Sequence, residues 1–366
     1  MSTIGELNFK FNPFKDMTPD VSSNDLFWAG LPEIKQRIEK NYNDCLSNKG
    51  KHIILNWGPY GGGKTFTANY FTSRKFDSQK KVTQIYLRSP KEGSKSTDEF
   101  FKSVLDSISF SRIKEQMESL VKNTPIDDLK SFLKKRTRSE EYADAIIKLG
   151  SGDPEVANLM RNYLYSGVTK TELKKLGLAR DLQTDTDCAK FLSGLLSCFV
   201  GDGQFYDGYV FLWIDEMEDL IYYTPKNYKI FSQVLRDLFD YVPNSFVAFL
   251  NFTLASPEEK TIELILGGAL WDRITKRIRF KELTPSDAYL YCEDLIKHAQ
   301  VEKNELQPFT KNSIQKVIDL IPSNITPREI NKHFESVISY SMRNDITSID
   351  DTVITRWQPE FIEDNQ

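Results

Sequence analysis

One eight-residue run, Gly58-Pro59-Tyr60-Gly61-Gly62-Gly63-Lys64-Thr65, constrains this chain more than any other segment. It fits G-x-x-x-x-G-K-[ST], and its flanks are those the pattern requires: His52 to Trp57 reads as a short buried strand, and a helix is expected from Lys64 to Phe71. Glycines let main-chain N–H groups turn inward around an anion, and the helix N-terminus adds partial positive charge. Lys64 then reaches the outer phosphates of a polyphosphate, and the Thr65 hydroxyl can ligate Mg²⁺. Phe66 follows directly and belongs to the same expected binding segment. The alternative, a chance glycine turn, accounts for neither the strand before nor the helix after.

A strand feeding such a loop belongs in an α/β fold. Further apolar, β-branched or aromatic runs are Val82 to Leu87, Tyr209 to Ile214 and Phe246 to Leu250, separated by helical stretches. That order predicts crossover connections and a mostly parallel sheet covered on both faces. Leu31, Ile34, Ile38 and Tyr42 recur at helical spacing ahead of the first strand, with Pro32 in the first turn where its missing N–H does no harm. Residues 90–208 exceed what one crossover needs and read as a helical insertion, with breaks at Gly150 to Pro154 and Ser166 to Thr169. After Phe280 the pattern becomes a small all-α unit: Thr284-Pro285 opens a helix to about 300, Pro308 to Ile321 forms a second, and Thr326-Pro327 opens a third. The expected division is an irregular arm over 1–25, a base over 26–283, an all-α lid over 284–343 and an acidic tail over 344–366. The arm should lie on the base, anchored by Phe11 and Phe14, and the tail should hold only a short helix near Asp350 to Trp357.

The 366 residues are 40% hydrophobic and 27% charged, enough apolar material for a large core. No run reaches the roughly 20 apolar residues of a spanning helix, and residues 1–13 lack a signal-peptide core, so a cytoplasmic location without membrane contact is expected. The formal net charge of −4 excludes a global positive field for nucleic acid, and any DNA contact must be local. Lys134 to Arg138 is the one basic cluster, read as a solvated helix end because Glu140 and Glu141 follow it. The four cysteines are scattered and read as buried apolar side chains.

Tyr209 to Ile214 ends in Asp215-Glu216, two carboxylates at the strand end where α/β proteins bind ligands. Asp215 would hold the Mg²⁺ shell, and Glu216 would orient or deprotonate an attacking water. Glu218 and Asp219 fit the exposed face of the next turn. Asn251 ends the Phe246 to Leu250 strand and suits a place between water and the γ-phosphate, or else a simple strand-end turn. Arg277, with Arg273 second, is the candidate finger whose guanidinium stabilises transferring phosphate from a neighbouring subunit; local ion pairing is the alternative. Arg328 opens a helix whose dipole disfavours it there, and could clamp a nucleotide from the lid.

In this order the residues resemble the AAA+ family of P-loop NTPases, within it the origin-initiator clade, over about Leu26 to Arg343. Where that family writes F-x-G-R before its first helix, this chain has Phe27-Trp28-Ala29-Gly30-Leu31, without the arginine. A second resemblance is to ATP-binding proteins of prokaryotic anti-phage (BREX-type) and mobile-element loci, carried by Tyr163 to Gly167, Glu172 to Gly177 and Phe211 to Glu218. These likenesses imply an ATPase that uses ATP and Mg²⁺ and works as a homo-oligomer or in a multi-protein assembly for defence or DNA transactions. Unlike the origin initiators it resembles, the chain is expected to have no room after the lid for a winged-helix DNA reader, so sequence-specific DNA binding by that route is not expected. A nucleotide-dependent switch with little turnover is the alternative, and a docking scaffold built on the insertion is the third.

Overall fold

The computed structural model describes residues 3–15, 26–75, 80–201, 205–254, 259–322 and 324–364. The turn formers Thr18-Pro19 and Ser22-Ser23-Asn24 of the expected arm lie outside the described residues.

Five strands form one sheet: β1 (Lys51–Gly58), β2 (Lys81–Arg88), β3 (Gly208–Asp215), β4 (Phe246–Thr253) and β5 (Lys276–Arg279). Their order is β2-β3-β4-β1-β5, and every pairing is parallel. The first four carry the apolar runs of the sequence. The fifth was ambiguous there, because four residues with one buried side chain, Ile278, are too short to separate strand from helix periodicity.

Alternation sends successive side chains to opposite faces. Val210, Leu212 and Ile214 pack with Ile53, Leu55 and Trp57 on one face, while Phe211 and Trp213 pack with Ile54, Val247 and Phe249 on the other. Helices α1 (Pro32–Asn48) and α2 (Lys64–Thr72) cover the second face. There Tyr42 stacks on Phe211 at 3.9 Å, and the Trp213 indole N–H donates to the Tyr42 hydroxyl at 2.9 Å. The first face is covered by the helical insertion: α3 (Ser96–Ile108), α4 (Phe110–Asn123), α5 (Ile126–Thr137), α6 (Glu140–Lys148), α7 (Pro154–Tyr165), α8 (Lys170–Leu176) and α9 (Asp185–Ser197). The breaks expected near residues 150 and 166 separate α6, α7 and α8. After β3 come α10 (Pro225–Tyr241), α11 (Glu259–Leu266) and α12 (Gly268–Trp271).

The all-α unit holds α13 (Pro285–Ala299), α14 (Lys311–Asp319), α15 (Pro327–Arg343) and α16 (Asp351–Asp364) around a separate core. Thr284 and Thr326 each accept a hydrogen bond from the third N–H of the helix they cap, with proline at the first position, so the signals read from sequence act as caps. Two expectations are corrected. Residues 351–364, read as a tail with a short helix, form a 14-residue helix that buries Val353, Ile354 and Trp357 in this core. The N-terminal arm packs on the all-α unit instead of the base: Leu7 and Phe9 are buried there, and Phe14 stacks on Phe334 at 4.7 Å. Phe14 is the anchor, whereas Phe11 stays 47% exposed.

The basic cluster at 134–138 is knitted into the surface instead of standing free. Lys134 pairs with Glu140, Arg136 lies over Phe132 and Arg138 over Tyr241. Cys45, Cys198 and Cys292 are buried and unbridged. No helix of the described residues is long and apolar enough to cross a membrane.

Candidate functional site

The loop between β1 and α2 turns at the C-terminal edge of the sheet, with Gly61 at φ +71° and Gly63 at φ +90°, values that L side chains adopt only at a cost. Lys64, the first residue of α2, is buried, and its ammonium donates to the carbonyls of Gly58 at 3.0 Å and Pro59 at 2.8 Å. Burial pushes that ammonium down to about 8, against the opposing pull of Glu218 and Asp215. Two of the loop residues, Gly58 and Pro59, therefore contribute carbonyls to the lysine, and Gly58 packs on the main chain of Phe280. The other six, Tyr60 to Thr65, line an open cleft of about 490 Å³ together with Phe66.

Asp215 ends β3 on the same sheet face as Trp213, with 2% of its surface exposed. One carboxylate oxygen accepts from the Tyr86 hydroxyl at 3.1 Å and the other from the Asn251 amide at 3.0 Å. The same amide approaches the Lys64 carbonyl at 3.4 Å, so Lys64, Asp215 and Asn251 meet at one point. Asn56, opposite Asn251 in the β1–β4 register, donates to the Asn251 side-chain oxygen at 2.9 Å. This corrects the place given to Asn251: it is fully buried behind the acid and orients Asp215, instead of facing the cleft. Thr253, two residues on and therefore on the same face, reaches the cleft.

Glu216 lines the cleft with its backbone in the left-handed region at φ 57°, and Arg88 at the end of β2 approaches its carboxylate at 3.7 Å. Glu218, expected on an exposed face, also lines the cleft. Its carboxylate accepts from the Thr253 N–H at 2.9 Å, and burial raises its pKa above the ordinary value. Nothing in the sequence announced the 3-10 turn Met217–Tyr222 that turns Glu218 inward.

Arg328 stands over the loop from the first turn of α15; its N–H bonds the Gly61 carbonyl at 3.3 Å, and its side chain lines the cleft. The two finger candidates are elsewhere. Arg273 forms a two-bond fork with Asp240, both at 2.7 Å, near the N-terminal end of the strands. Arg277, on β5, pairs with Glu259 at 3.0 Å and lies over the Trp271 ring. Neither lines the cleft formed by its own chain. Away from the phosphate loop the cleft is apolar and aromatic, bounded by Leu26 to Ala29, Tyr291, Leu295, His298 and Phe11 of the arm. Phe27 to Leu31 stand out in the sequence, but nothing there signals Tyr291, Leu295 and His298, which face the cleft because α13 crosses it at i, i+4 and i+7.

The oxygen donors fit a hard divalent ion: a hydroxyl on Thr65, and on Asp215 a buried carboxylate hydrogen-bonded by a neutral phenol and a neutral amide. Among the described residues no group of three or more His, Cys, Asp or Glu could hold a metal. An ion here would therefore share its shell with phosphate oxygens.

No protein-family model matches the sequence, and no curated protein matches it. Solved structures do. The Aeropyrum pernix ORC2 protein in its ADP form aligns with 96% of this chain and 72% of its own at a TM-score of 0.55 and 10% identity. The Aeropyrum pernix ORC1 protein in complex with DNA aligns with 99% of this chain and 71% of its own at a TM-score of 0.52 and 11% identity. The likeness is one of fold, an α/β architecture with a phosphate loop, a five-stranded parallel sheet and many helices.

Proposed function

We propose that the chain binds ATP with Mg²⁺ in the cleft between base and lid and hydrolyses it, as an ATPase subunit that acts with further copies or partner proteins. The observation that carries this reading is the meeting of the Lys64 carbonyl and the Asp215 carboxylate at one amide, beneath a cleft lined by Thr65 and Glu216. Phosphoryl transfer needs positioned charge and an aligned water more than covalent help, and those residue types supply it. Lys64 and the loop N–H groups would hold the β- and γ-phosphates, while Thr65 and Asp215 would hold the metal, which neutralises phosphate charge when bound. Glu216 would orient the water, and Asn251 would keep Asp215 in place. Arg328 would close the lid on the nucleotide. Arg277, with Arg273 second, would serve a neighbour's cleft.

The likeness to the Aeropyrum pernix proteins, one solved with ADP and one with DNA, supports a nucleotide-dependent DNA or protein transaction. The sequence resemblance through Tyr163 to Gly167 and Phe211 to Glu218 favours a prokaryotic defence assembly within that range.

A second reading, a nucleotide-dependent switch with little turnover, is favoured by the pairing of Glu216 with Arg88 and by the absence of a finger arginine from the chain's own cleft among the described residues. Binding and turnover of wild type, Lys64→Ala and Glu216→Gln separate the readings, measured with and without DNA. Hydrolysis is supported if Lys64→Ala loses binding while Glu216→Gln binds ATP and turns over at least about 100-fold more slowly. Tight wild-type binding without turnover supports the switch. Wild-type turnover in both variants would refute the site.

A further inference from the structure

We infer that Tyr86 and Asn56 are positioning residues for the metal-binding acid: with Asn251 they hold the Asp215 carboxylate from two sides, an inference that rests on the cleft being a Mg²⁺-nucleotide site. The four side chains come one from each of four adjacent strands, in the order Tyr86 on β2, Asp215 on β3, Asn251 on β4 and Asn56 on β1. Register brings them together. Asn56 pairs with Asn251, and Asp215 follows Ile214, the partner of Leu250, so these three lie side by side at the strand tips. Tyr86 pairs with Trp213, two residues before Asp215 and on the same face, and its ring is long enough to bring the hydroxyl to the carboxylate at 3.1 Å.

The charge on the acid fixes the sense of every bond in this row. A carboxylate only accepts, so Asn251 must present its NH₂ group to Asp215, at 3.0 Å. The Asn251 oxygen is then turned the other way and needs a donor, which Asn56 supplies at 2.9 Å. The Asn56 oxygen is left buried without a hydrogen-bond partner among the described residues, a costly arrangement for a residue whose only task is packing. Ile54, two residues before it on the same face, meets the core with no such cost. The two donors that reach Asp215 are neutral: they fix the plane of the carboxylate and leave its negative charge for a cation, whereas a lysine or arginine in either place would compete with the ion. Tyr86, Asn251 and Asn56 do not line the cleft, so their effect on a bound ion passes through Asp215.

The test measures, by calorimetry on the full chain, how much Mg²⁺ strengthens ATP binding, as the ratio of the affinities for Mg²⁺-ATP and for ATP in EDTA. Tyr86→Phe, which deletes one oxygen from a half-buried ring, and Asn56→Leu should each lower that ratio about tenfold and leave ATP binding in EDTA as in wild type. A variant damaged in its fold loses both affinities together and keeps the ratio, so a merely structural role does not give the same result. A ratio equal to that of wild type in either variant would overturn the inference while leaving the nucleotide site intact. A wild type that binds neither form would instead remove the nucleotide reading, and one that gains nothing from Mg²⁺ would remove the metal from it; the inference falls with either.

Discussion

Lys64 carries its charge in a place where charge is costly. Its ammonium is buried and neutralised in part by loop carbonyls and by the nearby Asp215 and Glu218, yet burial still dominates and holds it at about 8. Phosphate binding needs the protonated form, so the direction follows from the sign of the shift. Affinity for Mg²⁺-ATP should be steady from about pH 6 to 7.5 and then weaken above about 8, by up to about tenfold per unit as the ammonium is lost. Binding near pH 8 should also take up a proton, because bound phosphate favours the charged lysine; the heat measured by calorimetry would then depend on the buffer. An affinity constant through pH 9 would show that Lys64 keeps its proton and that its burial matters less than its carbonyl partners. Two of the acids after β3 divide at the same scale: Glu216 faces Arg88, whereas Glu218 ties down the tip of β4 through Thr253. Carboxylates two positions apart thus make different contacts on either side of one left-handed turn at Glu216.

Elements were legible where a local rule determined them. Proline in the first turn and a threonine cap marked α13 and α15, and continuous apolar, β-branched or aromatic runs marked four strands. Where the outcome depended on a distant partner the sequence was silent. The docking of the arm on α15 through Phe14, the burial of Trp357 and the inward turn of Glu218 each depend on a surface contributed from elsewhere in the chain. The glycine loop shows both sides of this. Its residue types were readable, but Gly61 is required by α15 as much as by phosphate: a Cβ there would sit 2.6 Å from the Arg328 Cβ and 3.0 Å from the Thr326 hydroxyl, at φ +71°. Gly61→Ala should therefore cost about 1–3 kcal/mol in a urea melt and weaken ATP binding by pushing the lid helix off the loop. Gly152→Ala, where a Cβ would meet nothing within 4 Å, is the control and should be neutral in both measurements. Equal effects at the two positions would mean that the loop and lid are not in contact in solution.

At the scale of the molecule, the cleft gathers residues from the arm, the sheet and the all-α unit, but not the arginine that would complete hydrolysis. The base supplies Lys64, Thr65 and Glu216, and the lid supplies Arg328. Arg277 lies outside, on the edge strand β5, in a surface pair with Glu259 whose two side chains are each 41% exposed. A pair so exposed contributes little to folding, so releasing Arg277 to another partner costs little. An arginine that can leave its partner but does not line its own cleft can serve catalysis only across a contact between subunits. Turnover per chain should consequently rise with protein concentration as assemblies form, followed in parallel by mass photometry with ATP, with ADP and without nucleotide. Arg277→Ala should bind ATP as wild type does and lose at least about tenfold in turnover at every concentration. Mixing it with Glu216→Gln should recover part of that activity, because an intact cleft on the first variant then meets an intact arginine on the second. Turnover independent of concentration, or a mixture no more active than its parts, would place the whole reaction within one chain and remove Arg277 from it.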